Sequence, residues 1–382
     1  MSVDLVEVHG DLFHPIWLRD NCLCLECRHA WTFWKTVDIS RFSERSSIIK
    51  EVDLNQESLV VLWDEEPGHR SVFPLEWLSA HAYGRQQISP RLVHDHALWD
   101  AATWTDTSPP SHALADCASD GGTWAEDLAR NGFVFLDGAA EDSVENFASR
   151  IGPLQPTEFG RSIAVQATPE ANHPVKSGNE LTPHTDFSTY LNVAPLLQFM
   201  LFIKNDAVGG DSILVDGFMV AEHFRKDHPD HFERLTMTPI NFQQVYPDWE
   251  YFLARRRSII EVDRSGNIEG VFFHHSHTCN WDLPPEEVGA FYEAYFLFFD
   301  YLRNPDFQLR RHTPAGRCIA LQNGRILHGR APYDPSSGGR TLIDSYVPWE
   351  YFEARLRYRQ FNGFYPAAGK KYSGSGLGAR VI

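Results

Sequence analysis

The sequence predicts a mainly β fold with flanking helices, a sandwich or barrel rather than a helix bundle. Two observations carry this expectation. The 382-residue chain holds 26 phenylalanines and 11 tryptophans, types that suit a pleated, half-buried surface. Its apolar residues also fall in many short runs punctuated by glycine and proline. One run, PLLQFMLFIKN at 195–205, is nearly continuous, as a strand in a barrel core would be. With 43% hydrophobic and 22% charged residues the chain has an ordinary globular balance, long enough for one large domain and a smaller companion. A formal charge of −17 repels phosphate backbones and anionic membranes, which argues against nucleic acid as a partner. No apolar run approaches the roughly 18 residues of a membrane span. The opening MSVDLVEVHG lacks the basic start and apolar stretch of a signal peptide. These features read as a soluble cytoplasmic protein with no membrane partner.

Taken in order, the chain opens with two strand-like pieces, SVDLVEV and PIWL, the second running into WLRDNCLCLECRH at 17–29. Cys22, Cys24 and Cys27 can present three thiolates to one ion, one ligand short of a tetrahedral set. His29, His69 and His81 are the nearby suppliers. His29 is close enough to strain the loop, whereas His69 lies between two β-like runs that could return it to the cysteines, so His69 is preferred. Nothing suggests an open position, so the ion would be structural Zn(II); the alternative is three reduced cysteines and no metal. Cys117, Cys279 and Cys318 are scattered, which does not fit a disulfide framework. Residues 85–120 read as a linker, with a domain boundary near 95 separating 1–95 from 96–382. A helix over 123–130, a strand over 132–138 and a helix over 139–151 follow.

The chemistry concentrates in LTPHTDF at 181–187. His184 and Asp186 stand two apart at what reads as a strand end, so both side chains share a face. They would supply two thirds of the facial triad of non-haem Fe(II), and His328 in NGRILHGR at 323–330 is the candidate third ligand. His-x-Asp alone is weak, since it also occurs at His9 and His228. Only His184 has further parts downstream. Among these, Arg340 opens RTLIDSYV, read as the return strand of a hairpin that brings its guanidinium beside His328, ready for the far carboxylate of a 2-oxo acid. Gly209-Gly210 permit a tight turn before Asp211-Ser212 open a strand. Residues 219–236 have helical spacing. The stretch 241–262 reads as a lid over a pocket or as a solvated connector. VFFHHSHT at 271–278 is strand-like, 284–304 is a long helix whose aromatic stripe is core or dimer surface, and the tail from 367 reads as mobile.

WLRDNC with Cys24 and Cys27, HTD at 184–186, GGDS and VDGF within 209–218, and LHGR at 327–330 together resemble the γ-butyrobetaine dioxygenase family, among the taurine-dioxygenase-like Fe(II)/2-oxoglutarate oxygenases. The likeness spans nearly the whole chain. It implies a double-stranded β-helix (jelly roll) behind a small N-terminal zinc-binding domain with Cys22, Cys24, Cys27 and His69 as ligands. It further implies iron at His184, Asp186 and His328, and 2-oxoglutarate held by Arg340 and the Ser212 hydroxyl. The implied reaction consumes O2, decarboxylates 2-oxoglutarate to succinate and hydroxylates an unactivated C–H of a small-molecule substrate, by a homodimer. Asp186 fills the position that a halogenating relative leaves for chloride. Relatives acting on γ-butyrobetaine cage its trimethylammonium with aromatic rings; Tyr346, Phe187 and Phe159 keep aromatic character at such positions. Ile163 and Lys176 replace other aromatics there, and His173 and His274 stand where carboxylate-binding asparagines are expected. That pattern leans toward a trimethylammonium or amine zwitterion bearing a phosphonate. The alternatives are γ-butyrobetaine itself, a non-catalytic zinc-scaffolded binding protein, and a zinc hydrolase built on the same triad.

Overall fold

A computed structural model describes residues 5–29, 32–38, 40, 48–65, 67–83, 96–117, 122–166, 177–190, 196–247 and 250–360. His173, Lys176, Trp249 and the tail from 367 lie outside the described residues. The chain forms two compact units, Met1–Val93 with Arg357–Gly376, and His94–Leu356 with Leu377–Ile382.

The smaller unit is built on an antiparallel sheet of Ile49–Leu54, Ser58–Trp63 and His69–Pro74. Leu59, Val61 and Trp63 alternate inward and pack on Phe73, Trp77, Phe13 and Leu18. PIWL is not a strand. Pro15–Asp20 forms a helix with its proline in the first turn, where the missing N–H costs nothing.

The larger unit is a sandwich. One sheet runs Ser111–Ala113, Phe133–Asp137, Arg317–Asn323, Leu196–Asn205, Arg340–Pro348, Ser162–Gln166 across its width; the other runs Gln308–Arg311, Ser212–Asp216, Ile326–Arg330, Leu181–His184. Strand period decides which side chains meet between them. Leu214 and Ile326 join Met200, Phe202 and Leu342 in the core shared by the two sheets. Their neighbours Ile213, Val215 and Leu327 turn the other way, onto a layer of helices. His328, two residues from Ile326 and directly opposite Leu214, therefore belongs to the inner face. By the same count Gln198, Asp344 and Tyr346 share the inner face of the larger sheet with Met200 and Leu342.

The helix layer contains Gly217–Asp227, Pro229–Met237 and Pro285–Arg303. The single helical pattern expected at 219–236 is broken at His228, because Pro229 cannot donate into the preceding turn and instead starts a new helix. Asp216 caps the first helix by accepting from the Phe218 N–H and forms a fully buried ion pair with Arg325, 2.8 Å apart. Arg325 also donates to the carbonyls of Arg130 and Ala97, so its whole fork is satisfied. On Pro285–Arg303, Phe291, Tyr295, Phe298 and Leu302 are buried, which makes the aromatic stripe core, while Tyr292 and Phe296 are exposed. Residues 241–262 are neither lid loop nor connector in form: Ile240–Tyr246 and Tyr251–Arg257 pair as an antiparallel hairpin, followed by the strand Ile260–Val262. The expected strand at 271–278 ends at Val271 and gives way to a short 3-10 turn, His275–His277.

Candidate metal centre

His184 ends the strand Leu181–His184 and lies directly opposite His328. A Cβ at Gly329 would stand 2.6 Å from the Leu181 carbonyl oxygen, so glycine after His328 is what lets the two strands close to this distance. Asp186 is not on the strand, contrary to the alternation argument, but in the turn after it. Its backbone is clamped by Asn323, whose side-chain oxygen accepts from the Asp186 N–H (2.9 Å) and whose amide donates to the Asp186 carbonyl (3.0 Å). Thr185 is buried and donates to the Val271 carbonyl, and Phe187 adopts a positive φ of 56°, uncommon for a bulky side chain. The turn thus aims Asp186 back at the histidines.

The three side chains converge. His184 Nε2 is 3.6 Å from Asp186 Oδ1, His328 Nε2 is 3.5 Å from Asp186 Oδ2, and the two imidazole centroids are 4.4 Å apart. His184 Nδ1 donates to the Thr182 carbonyl at 2.8 Å, which fixes the tautomer and leaves Nε2 with a lone pair facing a carboxylate. Burial would raise the Asp186 pKa, but His328 and His184 outweigh it and hold the carboxyl well below its usual range. Burial pushes His328 down to about 4, so this ring too presents a lone pair at neutral pH. Two imidazole lone pairs, one at each oxygen of the same carboxylate, fit a cation held among them, while the set with one ligand atom per residue all within 4.8 Å is His184, Asp186 and His274.

Asp186 Oδ2 also accepts from Gln198 Nε2 and from the Tyr346 hydroxyl, each at 2.9 Å. Tyr346, expected as a wall of the substrate pocket, does keep its ring against Phe187 (centroids 4.7 Å, edge-on). Gln198 and Asn323 escaped the sequence reading. A lone amide inside LLQFMLFI was the available signal. His274 comes closer to the centre than a substrate contact requires: its ring is 4.6 Å from that of His184, and its ligand atom lies within 4.8 Å of those of His184 and Asp186. Burial, with His184 and His277 beside it, pushes its pKa well below the ordinary value, so it offers a neutral hydrogen-bonding ring, not the positive charge expected of it. Phe159 is 40% exposed, edge-on to Tyr246 at 5.5 Å.

The hairpin expected between His328 and Arg340 is absent. After Ile326–Arg330 the chain crosses to the other sheet, where Arg340–Pro348 pairs with Leu196–Asn205 and Ser162–Gln166. Arg340 is nonetheless buried, opposite Asn205, with its Nε lacking a partner among the described residues. The Asn205 amide donates to the Thr313 carbonyl, and the Thr313 hydroxyl is 2.8 Å from that of Ser212, so Ser212 joins the same buried polar corner from the opposite sheet. Arg330, which the sequence reading gave no role, is buried there as well; burial and the nearby Arg340 charge push its pKa down to about 10. Two desolvated guanidiniums in mutual repulsion fit an anionic guest.

In the smaller unit, His69 Nε2 lies 3.3, 3.7 and 3.5 Å from the sulfurs of Cys22, Cys24 and Cys27. A tetrahedral zinc ion with ordinary bond lengths sets such N···S edges at about 3.5 Å. Arg19, buried and bidentate to Glu65, donates to Cys27 Sγ at 3.3 Å.

The model of the taurine catabolism dioxygenase TauD, TfdA family matches residues 104–346. The chain is 28% identical to the gamma-butyrobetaine dioxygenase of Pseudomonas sp. (strain AK-1), over 93% of this chain and 92% of that protein. It is 27% identical to the human gamma-butyrobetaine dioxygenase, over 94% and 93%. A third relative is the trimethyllysine dioxygenase of Meyerozyma guilliermondii, 26% identical over 92% and 93%. With the family model spanning the sandwich and its cluster of histidines and acid, the chain belongs to the TauD/TfdA dioxygenase family.

Proposed function

We propose that the protein is an Fe(II)- and 2-oxoglutarate-dependent hydroxylase of a small trimethylammonium zwitterion, built on a double-stranded β-helix. The observation that carries this reading is the meeting of His184 Nε2, His328 Nε2 and the Asp186 carboxylate, a neutral–neutral–anionic donor set suited to ferrous iron. Bound iron with 2-oxoglutarate and O2 supplies the oxidising power to convert a C–H to a C–OH. The chain's own residues do the rest. Gln198 and Tyr346 orient the Asp186 carboxylate, Arg340 and Ser212 hold the far carboxylate of 2-oxoglutarate with Arg330 adding charge, and the apolar core between the sheets excludes water. The substrate class rests on the likeness to a gamma-butyrobetaine dioxygenase and a trimethyllysine dioxygenase, and on the rings of Phe187 and Tyr346 beside the proposed metal ligands. His274 is read as a hydrogen-bond partner of the substrate's anionic end, carboxylate or phosphonate.

The test is oxygen-dependent succinate release across a panel of trimethylammonium carboxylates and phosphonates. Coupled succinate from at least one member is expected, and none from His184→Ala. Undiminished coupled turnover by His184→Ala would overturn the iron assignment, and turnover supported by zinc without oxygen would favour a hydrolase. Failure of wild-type protein to bind Fe(II) and 2-oxoglutarate anaerobically would instead leave a non-catalytic binding protein.

Cys22, Cys24, Cys27 and His69 are read as a structural zinc site with no open position, and the reduced cysteines fit the cytoplasm. The exposed Tyr292 and Phe296 on the helix Pro285–Arg303 are read as a homodimer face. Phe296→Glu is expected to shift the sedimentation coefficient to that of a monomer; an unchanged value would remove the face from consideration.

A further inference from the structure

Glu158 accepts from the Tyr190 hydroxyl through Oε2. Tyr246 is bound to the same carboxylate: burial first, then the charge and hydrogen bond of Glu158, push the Tyr246 pKa up. The Tyr246 hydroxyl in turn accepts from Gln244 Nε2 at 2.8 Å, and Gln244 Oε1 accepts from the buried Thr189 hydroxyl at 2.6 Å. Thr189, Gln244, Tyr246, Glu158 and Tyr190 therefore form one chain of hydrogen bonds that meets at the Glu158 carboxylate. The other oxygen, Oε1, is buried and has no partner among the described residues. A carboxylate oxygen desolvated in this way is costly unless a positive charge arrives.

The surroundings say which positive charge. The Tyr190 ring is edge-on to Phe187 at 4.7 Å, and Phe187 is edge-on to Tyr346 at 4.7 Å. Tyr346 donates to the proposed iron ligand Asp186, and its hydroxyl is also sensitive to the charge of Glu158. On the other side Phe159 is edge-on to Tyr246. Aromatic rings from four separate stretches thus form a linked set that runs from the Glu158 carboxylate, through Tyr190, Phe187 and Tyr346, to Asp186. A fully alkylated ammonium has no N–H to donate, and its charge is spread over methyl groups that suit ring faces and an acceptor already short of donors. A neutral group of the same shape would leave Oε1 unmet. Nothing in TEFGRS marks Glu158 in the sequence, because its partners come from 190 and 246.

We propose that Glu158, held by the Tyr190 and Tyr246 hydroxyls, is the anionic element of the cation pocket and the residue that makes this site select a trimethylammonium over a neutral group of equal shape. The proposal rests on the functional reading above. Tetramethylammonium, which has a charge but no anionic end, is titrated by calorimetry into protein loaded anaerobically with Mn(II) and 2-oxoglutarate, with tert-butyl methyl ether, which is neutral and has no hydrogen-bond donor, as the comparator. Wild-type protein binds tetramethylammonium and not the ether. Glu158→Gln, which keeps the shape, weakens tetramethylammonium at least tenfold and leaves 2-oxoglutarate affinity unchanged, which also reports that the fold is intact. Tyr190→Phe weakens it by a smaller factor. Undiminished binding by Glu158→Gln, or no binding by a wild-type protein that turns over the trimethylammonium panel, overturns the inference alone. A wild-type protein that releases no succinate with any member of the panel overturns the functional reading as well.

Discussion

Tyr346 has two surfaces with separate consequences. Its ring packs edge-on to Phe187, while its hydroxyl shares Asp186 Oδ2 with Gln198. Removing only the hydroxyl leaves the ring contact and loosens the carboxylate that the proposed metal site needs fixed. Groups that orient a ligand in this way are commonly worth about 10–100-fold in metal affinity. Tyr346→Phe should accordingly weaken anaerobic Fe(II) or Co(II) binding within that range, with 2-oxoglutarate affinity measured in the same titration as a control. An unchanged metal affinity would leave the hydroxyl without a part in the centre. The third ligand is decided by a similar comparison: His328→Ala should abolish metal binding and His274→Ala should retain it, since His328 sits on the inner face opposite Leu214. The reverse result would make His274 the ligand. Sequence could single out His184, Asp186 and His328 as candidates because ligand chemistry is confined to few residue types. It could not reach Gln198, Asn323 or Glu158, whose roles depend on which distant atom a common amide or carboxylate meets.

Between elements, spacing was informative along a strand and silent across the sandwich. The helices at 123–131, 143–151 and 285–303 and the buried strand Leu196–Asn205 follow from local pattern. The return strand at Arg340 was legible as a strand, but its partner was not, since a turn after Arg330 can lead either to a hairpin or to the other sheet. Gly329 is where strand-to-strand closeness is most exposed to test. Its Cβ would press on backbone at Leu181, which cannot swing aside as a side chain could. Gly329→Ala should cost about 1–3 kcal/mol by overpacking and lower metal affinity by pushing His184 away. Urea unfolding and metal titration on one preparation would read both, and a variant as stable and as metal-competent as wild type would mean the strands are looser than this contact implies. The Asp216–Arg325 pair makes the complementary case. Arg325→Met strands a buried carboxylate and should destabilise by about 3–5 kcal/mol, read as a lower urea midpoint.

At the scale of the whole molecule, the two units solve the problem of stability by different means. The larger has a continuous apolar core between two sheets and a second beneath the helices. Among the described residues the smaller packs a cluster of ten buried side chains, Trp63 and Trp77 the largest of them, and its cysteine segment 21–29 contains no helix or strand beyond an isolated bridge at Arg28. The segment is held by turn hydrogen bonds from the Cys27 and Arg28 N–H groups to the Cys24 carbonyl and by the Arg28 side chain on the Cys22 carbonyl; the proposed zinc ion on three sulfurs and His69 would add to these, since for structural zinc sites the binding free energy is folding free energy, about 10–16 kcal/mol in small zinc peptides. Sequence spacing made the cysteines legible and left His69 a choice among three; the antiparallel pairing of Trp63 with His69 is what returns that ring to the sulfurs. Chelation under reducing conditions should therefore strip amide-exchange protection from Ser58–Trp63 and His69–Pro74 and expose Cys22, Cys24 and Cys27 to thiol reagents. Zinc added back should restore both. Protection in those two strands that survives complete removal of metal would mean the tryptophan core holds the unit by itself, and His69 Nε2 would then need another explanation for standing 3.3 to 3.7 Å from the three sulfurs.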